Sequence, residues 1–267
     1  MNYINKFGIE FNPFIKQKHD TKLDLAEYKQ LIYRLKHLEE VKGIGVITGE
    51  PGLGKTTSVR YWTKSLNKNL YKIVYIQHTS ITVHEFYRQL CEEFGLEVSY
   101  SKRKNFNALQ DEIKRLIIEK RITPVIILDE ANYLSSHILN DLKMILNFEM
   151  DSQNNMILLL VGQKTLLSTL SLKSNEALKQ RISMNYNLQP MTRDETKYYI
   201  DQKLAMAGLN TPLMSIEAYN QIAGYSNGVP RVINQIMDKA LLLLENCKRD
   251  SIDEEIAMSA ISEVNIF

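Results

Sequence analysis

The sequence predicts an α/β fold in which a five-stranded parallel sheet occupies residues 23–189, a small all-helical portion follows over residues 190–267, and residues 1–22 form an N-terminal arm. Three observations carry that expectation. Five short apolar runs (44–47, 73–76, 125–128, 156–161 and 184–188) alternate with segments of helical periodicity, the pattern of strand–crossover–strand units. One of them, Val125-Ile126-Ile127-Leu128, is continuously apolar, as a strand covered on both faces requires. Beyond Pro190 only helical patterns remain, which places a boundary near Gln189.

In chain order, Phe7-Gly8-Ile9-Glu10-Phe11-Asn12-Pro13-Phe14 is aromatic and turn-rich. It either packs on the core or lends apolar walls to a base pocket. Leu23, Leu25, Tyr28, Leu31, Ile32, Leu35 and Leu38 recur at helical spacing and predict a helix beside the sheet. A first strand through Ile44, Val46 and Ile47 runs into Gly49-Glu50-Pro51-Gly52-Leu53-Gly54-Lys55-Thr56, and Thr57-Ser58-Val59-Arg60-Tyr61-Trp62 leads out as a helix.

That loop fits the phosphate-binding pattern G-x-x-x-x-G-K-[ST] without mismatch, in the strand–loop–helix context the pattern needs. Glycines let successive N–H groups point inward, and the helix that follows adds its positive end, so polyphosphate is what the cavity takes. Residues Gly49 to Thr57 form the expected triphosphate-binding set. Lys55 is expected to reach the β- and γ-phosphates, and the Thr56 hydroxyl to hold Mg²⁺.

A strand at 73–76, a helix over 83–94, a polar loop over 99–105 and a helix bearing Phe106, Leu109, Ile113, Leu116 and Ile117 come next. The strand Val125–Leu128 then ends in Asp129-Glu130, four apolar residues followed by two acids. In that position the first carboxylate supports Mg²⁺ and the second orients or deprotonates the attacking water. Both acids fall at a strand's carboxyl end, where open α/β sheets place ligands. A solvated acidic turn is the alternative. Strand 156–161 ends at Gly162-Gln163, where Gln163 is placed to contact the γ-phosphate or the water, or is an ordinary loop residue.

In the last part, Thr192-Arg193-Asp194-Glu195 is a capping box opening a helix with Tyr199, Ile200, Leu204 and Met206, which Gly208 ends. Further helices are expected near 215–223, 232–244 and 253–264.

Composition narrows the function. A net charge of +2 announces no nucleic-acid partner, so any DNA contact must come from a local patch; the candidate is Lys102-Arg103-Lys104 with Tyr100, and a solvated basic loop is its alternative. Cys91 and Cys247 lie in no metal-ligand spacing and read as thiols of a reducing compartment. No apolar run reaches signal-peptide or membrane-span length, so a cytoplasmic protein is expected.

A phosphate loop, paired acids after a buried strand and a helical C-terminal part together resemble the AAA+ class of P-loop NTPases. Gly228-Val229-Pro230-Arg231 is similar to the sensor 2 segment of AAA+ lids. Over almost its whole length the chain resembles the ExeA-like branch, which includes the AAA+ regulators encoded beside DDE transposases, of the TniB, TnsC and MuB kind. The stretches that carry this are Phe7–Phe14, Thr48–Thr57, Leu128–Ala131, Leu146-Asn147-Phe148-Glu149, Leu160–Gln163, Gln180-Arg181-Ile182 and Gly228–Arg231.

The resemblance implies that Gln163 stands at the sensor 1 position, usually Asn, Thr or Ser, that Arg181 is an arginine finger offered to a neighbouring subunit, and that Arg231 contacts nucleotide phosphates. It also implies a homo-oligomer, ring or helical filament. Such an assembly would bind double-stranded DNA without sequence preference, recruit a DDE transposase and come apart on ATP hydrolysis, with Tyr100, Lys102, Arg103 and Lys104 as the candidate contact already read from the charge run. Secretion ATPases of the ExeA type share the nucleotide domain but continue into a membrane span and a cell-wall-binding region. The sequence ends at Phe267, which favours the transposition role; the alternative is an ATPase energising a secretion or envelope complex without DNA binding.

Overall fold

A computed structural model describes residues 7–15, 25–77, 81–146, 155–209 and 211–265. Residues 1–6 and 16–22 of the arm, Leu23 of the first expected helix and Asn147-Phe148-Glu149 lie outside the described residues. By their contacts the residues form two units: Lys29–Pro51 with Lys55–Leu188, and Met1–Tyr28 with Gly52–Gly54 and Gln189–Phe267.

The first unit holds a five-stranded, all-parallel sheet made of β1 (Gly43–Thr48), β2 (Tyr71–Ile76), β3 (Thr123–Leu128), β4 (Ile157–Gly162) and β5 (Ile182–Asn187), in the order β2-β3-β4-β1-β5. Position in the sheet explains composition. The inner strands β1, β3 and β4 are buried almost throughout and read as unbroken apolar runs, whereas β5, at an edge, mixes Ser, Asn and Tyr with Ile and Met. Gly45 in β1 is a glycine because a Cβ there would lie 2.5 Å from Leu38 Cδ2 and 2.9 Å from Leu159 Cδ1. Helix α1 (Ala26–Val41) thereby lays Leu31, Leu35 and Leu38 into the core.

Helix α2 (Lys55–Ser65) follows β1 and fixes Trp62, 1% exposed, by an indole N–H bond to Glu39 at 2.7 Å. Helix α3 (Val83–Phe94) carries a Thr82/Glu85 capping box and stops at Gly95, whose φ of 80° suits a glycine cap. Helix α4 (Lys102–Ile118) corrects the expectation of a loop over 99–105. Three consecutive basic residues at a helix start oppose the backbone dipole. The capping outweighs this: the Ser101 hydroxyl accepts from the Lys104 N–H, and buried Asn105 exchanges two bonds, 2.8 and 2.9 Å, with the Ser99 backbone.

Two helices not anticipated in the sequence, α5 (Ser136–Ile145) and α6 (Thr165–Leu170), flank β4, and a short α7 (Glu176–Lys179) precedes β5. The Ser135 hydroxyl caps α5. The carbonyls at the end of α5 accept from Gln110 Nε2, at Met144 and Ile145, and from Arg181, at Lys143.

The second unit packs α8 (Arg193–Met206), α9 (Ile216–Ser226), α10 (Pro230–Asn246) and α11 (Glu254–Val264) around Ile200, Leu204, Ile222, Ile236, Met237 and Leu241. Thr192 and Glu195 form the capping box of α8, and Pro230 stands in the first turn of α10, where its missing N–H costs nothing. Ile9 and Phe14 of the arm are buried in the same core, and Asn12 donates to Asp238 at 2.7 Å.

Lys203 completes this unit. Its ammonium donates to Pro13 O (2.8 Å) and Asn234 Oδ1 (3.1 Å) and lies over the rings of Phe14 and Tyr199. Burial pushes its pKa down to about 8 from 10.5. Below pH 8 the folded chain carries the desolvated charge; between about 8 and 10.5 only the unfolded chain keeps the proton; above 10.5 neither does. Stability relative to Lys203→Met therefore rises across that window, by at most about 3 kcal/mol, since the two acceptors and two rings offset part of the burial cost. Denaturant unfolding of both proteins from pH 7 to 11 measures the difference.

Candidate active site

Parallel pairing brings the strand ends to one edge. Thr48 of β1 is level with Gly162 of β4, and Leu128 of β3 with Leu160 of β4. Because β4 lies between β1 and β3, Gln163 leaves the sheet between the phosphate loop and Asp129-Glu130.

The loop bends through two left-handed glycines, Gly52 (φ 86°) and Gly54 (φ 91°), a conformation that glycine adopts without strain. Lys55 opens α2 with its side chain nearly buried and folded back, its ammonium donating to the carbonyls of Gly49 (2.9 Å) and Glu50 (3.0 Å). Glu50 is exposed and pairs with Lys164 at 3.2 Å. Pro51 and Thr57 are exposed, Leu53 is buried, and Arg60 reaches the Thr57 hydroxyl at 3.4 Å.

The joint between the two motifs is the Thr56 hydroxyl, which donates to Asp129 Oδ2 at 2.7 Å. The Tyr75 phenol donates to the same oxygen at 2.8 Å, and the Glu130 N–H to Oδ1 at 2.9 Å. Asp129 is 3% exposed. Burial, and then the bond to Asp129, raise the pKa of Tyr75 well above its ordinary value, which keeps the phenol a donor at any physiological pH. Glu130 has φ 53°, ψ 37°, a left-handed conformation uncommon outside glycine and asparagine, and is half-exposed at the sheet edge.

The turn after Glu130, a 3₁₀ segment Ala131–Tyr133, is tied to β4 by Asn132, whose Oδ1 accepts the Gln163 N–H at 3.0 Å. Gly162 makes the approach possible: a Cβ there would lie 2.8 Å from Asn132 Oδ1 and 3.1 Å from its backbone N.

Gln163 itself is half-exposed, and Arg181 is part-buried with its guanidinium on Lys143 O at 3.2 Å. Arg231, exposed at the start of α10, donates its N–H to Gly52 O at 3.3 Å, and a Cβ on Gly52 would lie 2.9 Å from Arg231 Cβ. The basic trio does not present three equivalent cations. Lys102 is ion-paired with buried Asp141 at 2.7 Å and lies over the Tyr87 ring, while Arg103, Lys104 and Tyr100, the last 95% exposed, face solvent.

The donor set suits the ligands expected. A hydroxyl and a carboxylate in contact are hard oxygen donors of the kind Mg²⁺ takes, and an ammonium at a helix start beside a glycine loop suits polyphosphate. Tyr75 and Asn132 were not singled out in the sequence. Their roles depend on strand register, Tyr75 opposite Ile127, and no local motif announces register. Among the described residues no helix is long and apolar enough to cross a membrane.

Residues 38–170 match the family described as AAA domain. The chain is 30% identical over 247 residues to "General secretion pathway protein A" of Aeromonas hydrophila; the match covers 90% of this chain, which spans 44% of that relative's length. Among solved structures, CDC6P from Pyrobaculum aerophilum matches with a TM-score of 0.75 at 19% identity, over 97% of this chain and 72% of that one. The Aeropyrum pernix ORC2 protein gives 0.71 at 19%, over 96% and 72%. The Thermotoga maritima RuvB Holliday junction branch migration motor gives 0.62 at 20%, over 90% and 69%. At these identities the structural matches bear on fold.

Proposed function

We propose, from the AAA domain match over residues 38–170 and the donor set at the carboxyl edge of the sheet, that this chain is an AAA+ ATPase that binds ATP with Mg²⁺ and hydrolyses it to ADP and phosphate. The single observation that supports it most is the Thr56–Asp129 bond, which joins two motifs 73 residues apart at one point. Mg²⁺, when bound, offsets the charge on the β- and γ-phosphate oxygens. Thr56 would hold it, supported by Asp129 through the bond between them. Lys55 exchanges its loop carbonyls for phosphate oxygens. Glu130 takes the proton of the attacking water as its oxygen bonds to the γ-phosphorus; the bond from that phosphorus to the bridging oxygen breaks, and its electron pair leaves with ADP. Gln163 orients the water or the γ-phosphate, and Arg231 supplies a phosphate contact. Phosphate release from the purified chain with Mg²⁺-ATP, abolished by chelation, tests the activity; no turnover with ATP bound would leave a binding switch in its place.

The output we assign is the energising of a secretion or envelope assembly complex, because the relative at 30% identity is a general secretion pathway protein. ATP supply puts the domain on the cytoplasmic side of such a complex. The other output, loading on duplex DNA for a DDE transposase, draws on sequence resemblance and on exposed Tyr100, Arg103 and Lys104, but the pairing of Lys102 with Asp141 weakens it. Random-sequence duplex at low salt separates the two. The secretion reading expects no ATP-dependent binding; tight binding that falls steeply with salt would favour the transposition reading.

The active form is a homo-oligomer in which Arg181 completes the neighbour's site. Arg181 must then exchange Lys143 O for a phosphate across the interface. Arg181→Ala is expected to lower ATPase turnover by at least about 100-fold, with activity partly restored on mixing with Glu130→Gln subunits, whose own arginines are intact. Phosphate release across mixing ratios measures it, and failure of the mixture to recover activity would count against action in trans.

A further inference from the structure

We propose that Tyr75 is a positioning residue of the nucleotide site, which keeps Asp129 Oδ2, the oxygen beside Thr56, from ligating the divalent cation directly and so sets the metal preference of nucleotide binding. The inference rests on the nucleotide reading above and concerns how the site takes its metal.

The argument is a count of lone pairs. A carboxylate oxygen has two acceptor directions in its plane. On Asp129 Oδ2 both are taken by hydroxyl donors, Thr56 at 2.7 Å and Tyr75 at 2.8 Å, and Oδ1 takes the Glu130 N–H at 2.9 Å. With its hydrogen directed at Asp129, the Thr56 hydroxyl keeps its own lone pairs for a cation. Oδ2, by contrast, has no free direction while Tyr75 holds it, so that oxygen acts through the threonine, and the one open direction left to the carboxylate is on Oδ1, beside the Glu130 N–H. This suits Mg²⁺, which dehydrates reluctantly and keeps several waters. An ion that sheds water and takes carboxylates more readily, such as Mn²⁺, is held back.

The placement is built rather than incidental. Tyr75 stands at the penultimate position of β2, in register with Ile127 of β3, two residues before Asp129, while its neighbours Val74 and Ile76 are buried in the core. The strand is anchored by those two side chains, and Tyr75, 37% exposed, is turned to the other face with its hydroxyl as its polar end. Removing that hydroxyl alone leaves the strand's packing in place.

The test is Tyr75→Phe in the full chain, with fluorescent ADP binding titrated with Mg²⁺ and separately with Mn²⁺, and a thermal melt without nucleotide. The freed acceptor is expected to tighten the Mn²⁺ requirement by roughly threefold to tenfold while the Mg²⁺ requirement moves less, so that the preference between the two ions shifts toward Mn²⁺. ADP affinity in chelator should be unchanged. A lower melting temperature with an unaltered Mn²⁺-to-Mg²⁺ ratio would reduce Tyr75 to a structural role and overturn the assignment. Weaker binding with both metals would overturn it as well, since the phenol would then be helping the carboxylate to ligate. If the unaltered protein binds nucleotide with neither metal, the nucleotide reading itself falls and takes this one with it.

Discussion

Replacing Lys55 by alanine is expected to lower ATP affinity by at least about 100-fold, because two charge-assisted hydrogen bonds to phosphate, each on the order of 1.5–3 kcal/mol, disappear together. The fold should survive. Lys55 is nearly buried, and its ammonium donates to the carbonyls of Gly49 and Glu50, backbone acceptors whose loop the substitution leaves in place. Removing the charge also removes its desolvation, so the melting temperature should change by no more than a few degrees. Calorimetric titration with ATP and a thermal melt read the two effects separately. An affinity equal to that of the unaltered chain would sink the assignment of Gly49 to Thr57 as the phosphate site, whatever the loop's shape.

Glu130→Gln is the second large effect, and it falls on turnover alone. The substitution keeps the size of the side chain, the left-handed backbone and the N–H bond to Asp129 Oδ1. What glutamine lacks is a carboxylate to receive the proton of the attacking water. Turnover is expected to fall by about 10²- to 10⁴-fold while ATP affinity stays within a few-fold of normal. Single-turnover phosphate release alongside equilibrium binding checks this. Size-exclusion chromatography should show the ATP-dependent assembly persisting rather than dissolving. Normal turnover would remove Glu130 from the chemistry.

Much of the sheet was legible because its signals are local. Strands β1, β3 and β4 are covered on both faces, so their sequences are unbroken apolar runs, and the loop between β1 and α2 is specified residue by residue. The capping boxes at Thr82 and Thr192 are equally local. What escaped was encoded across distance. Helices α5 and α6 are short, 10 and 6 residues, and carry too few turns for their periodicity to stand out. The start of α4 was hidden because a run of Lys and Arg reads as solvated chain, while its determinants are one serine and one buried asparagine reaching back to Ser99. At the site, Thr56 and Asp129 could be named from motifs, but Tyr75 and Asn132 owe their places to the pairing of β2 with β3 and to the turn's approach to β4. Nor does a sequence reveal that Arg181 spends its guanidinium on the end of α5, or that Asp141 claims Lys102.

The contact between Gly162 and Asn132 constrains how this site can drift. A methyl group at 162 would meet two atoms of Asn132, one at the end of its side chain and one in its main chain, at 2.8 and 3.1 Å. Shortening the side chain at 132 would relieve the first and leave the second, which no substitution can remove. Second-site suppression at 132 is therefore partial at best. Shortening it would also give up the acceptor for the Gln163 N–H. The glycine is dictated by neighbouring backbone, so a side chain at the strand end could be accommodated only by moving the acidic turn with it.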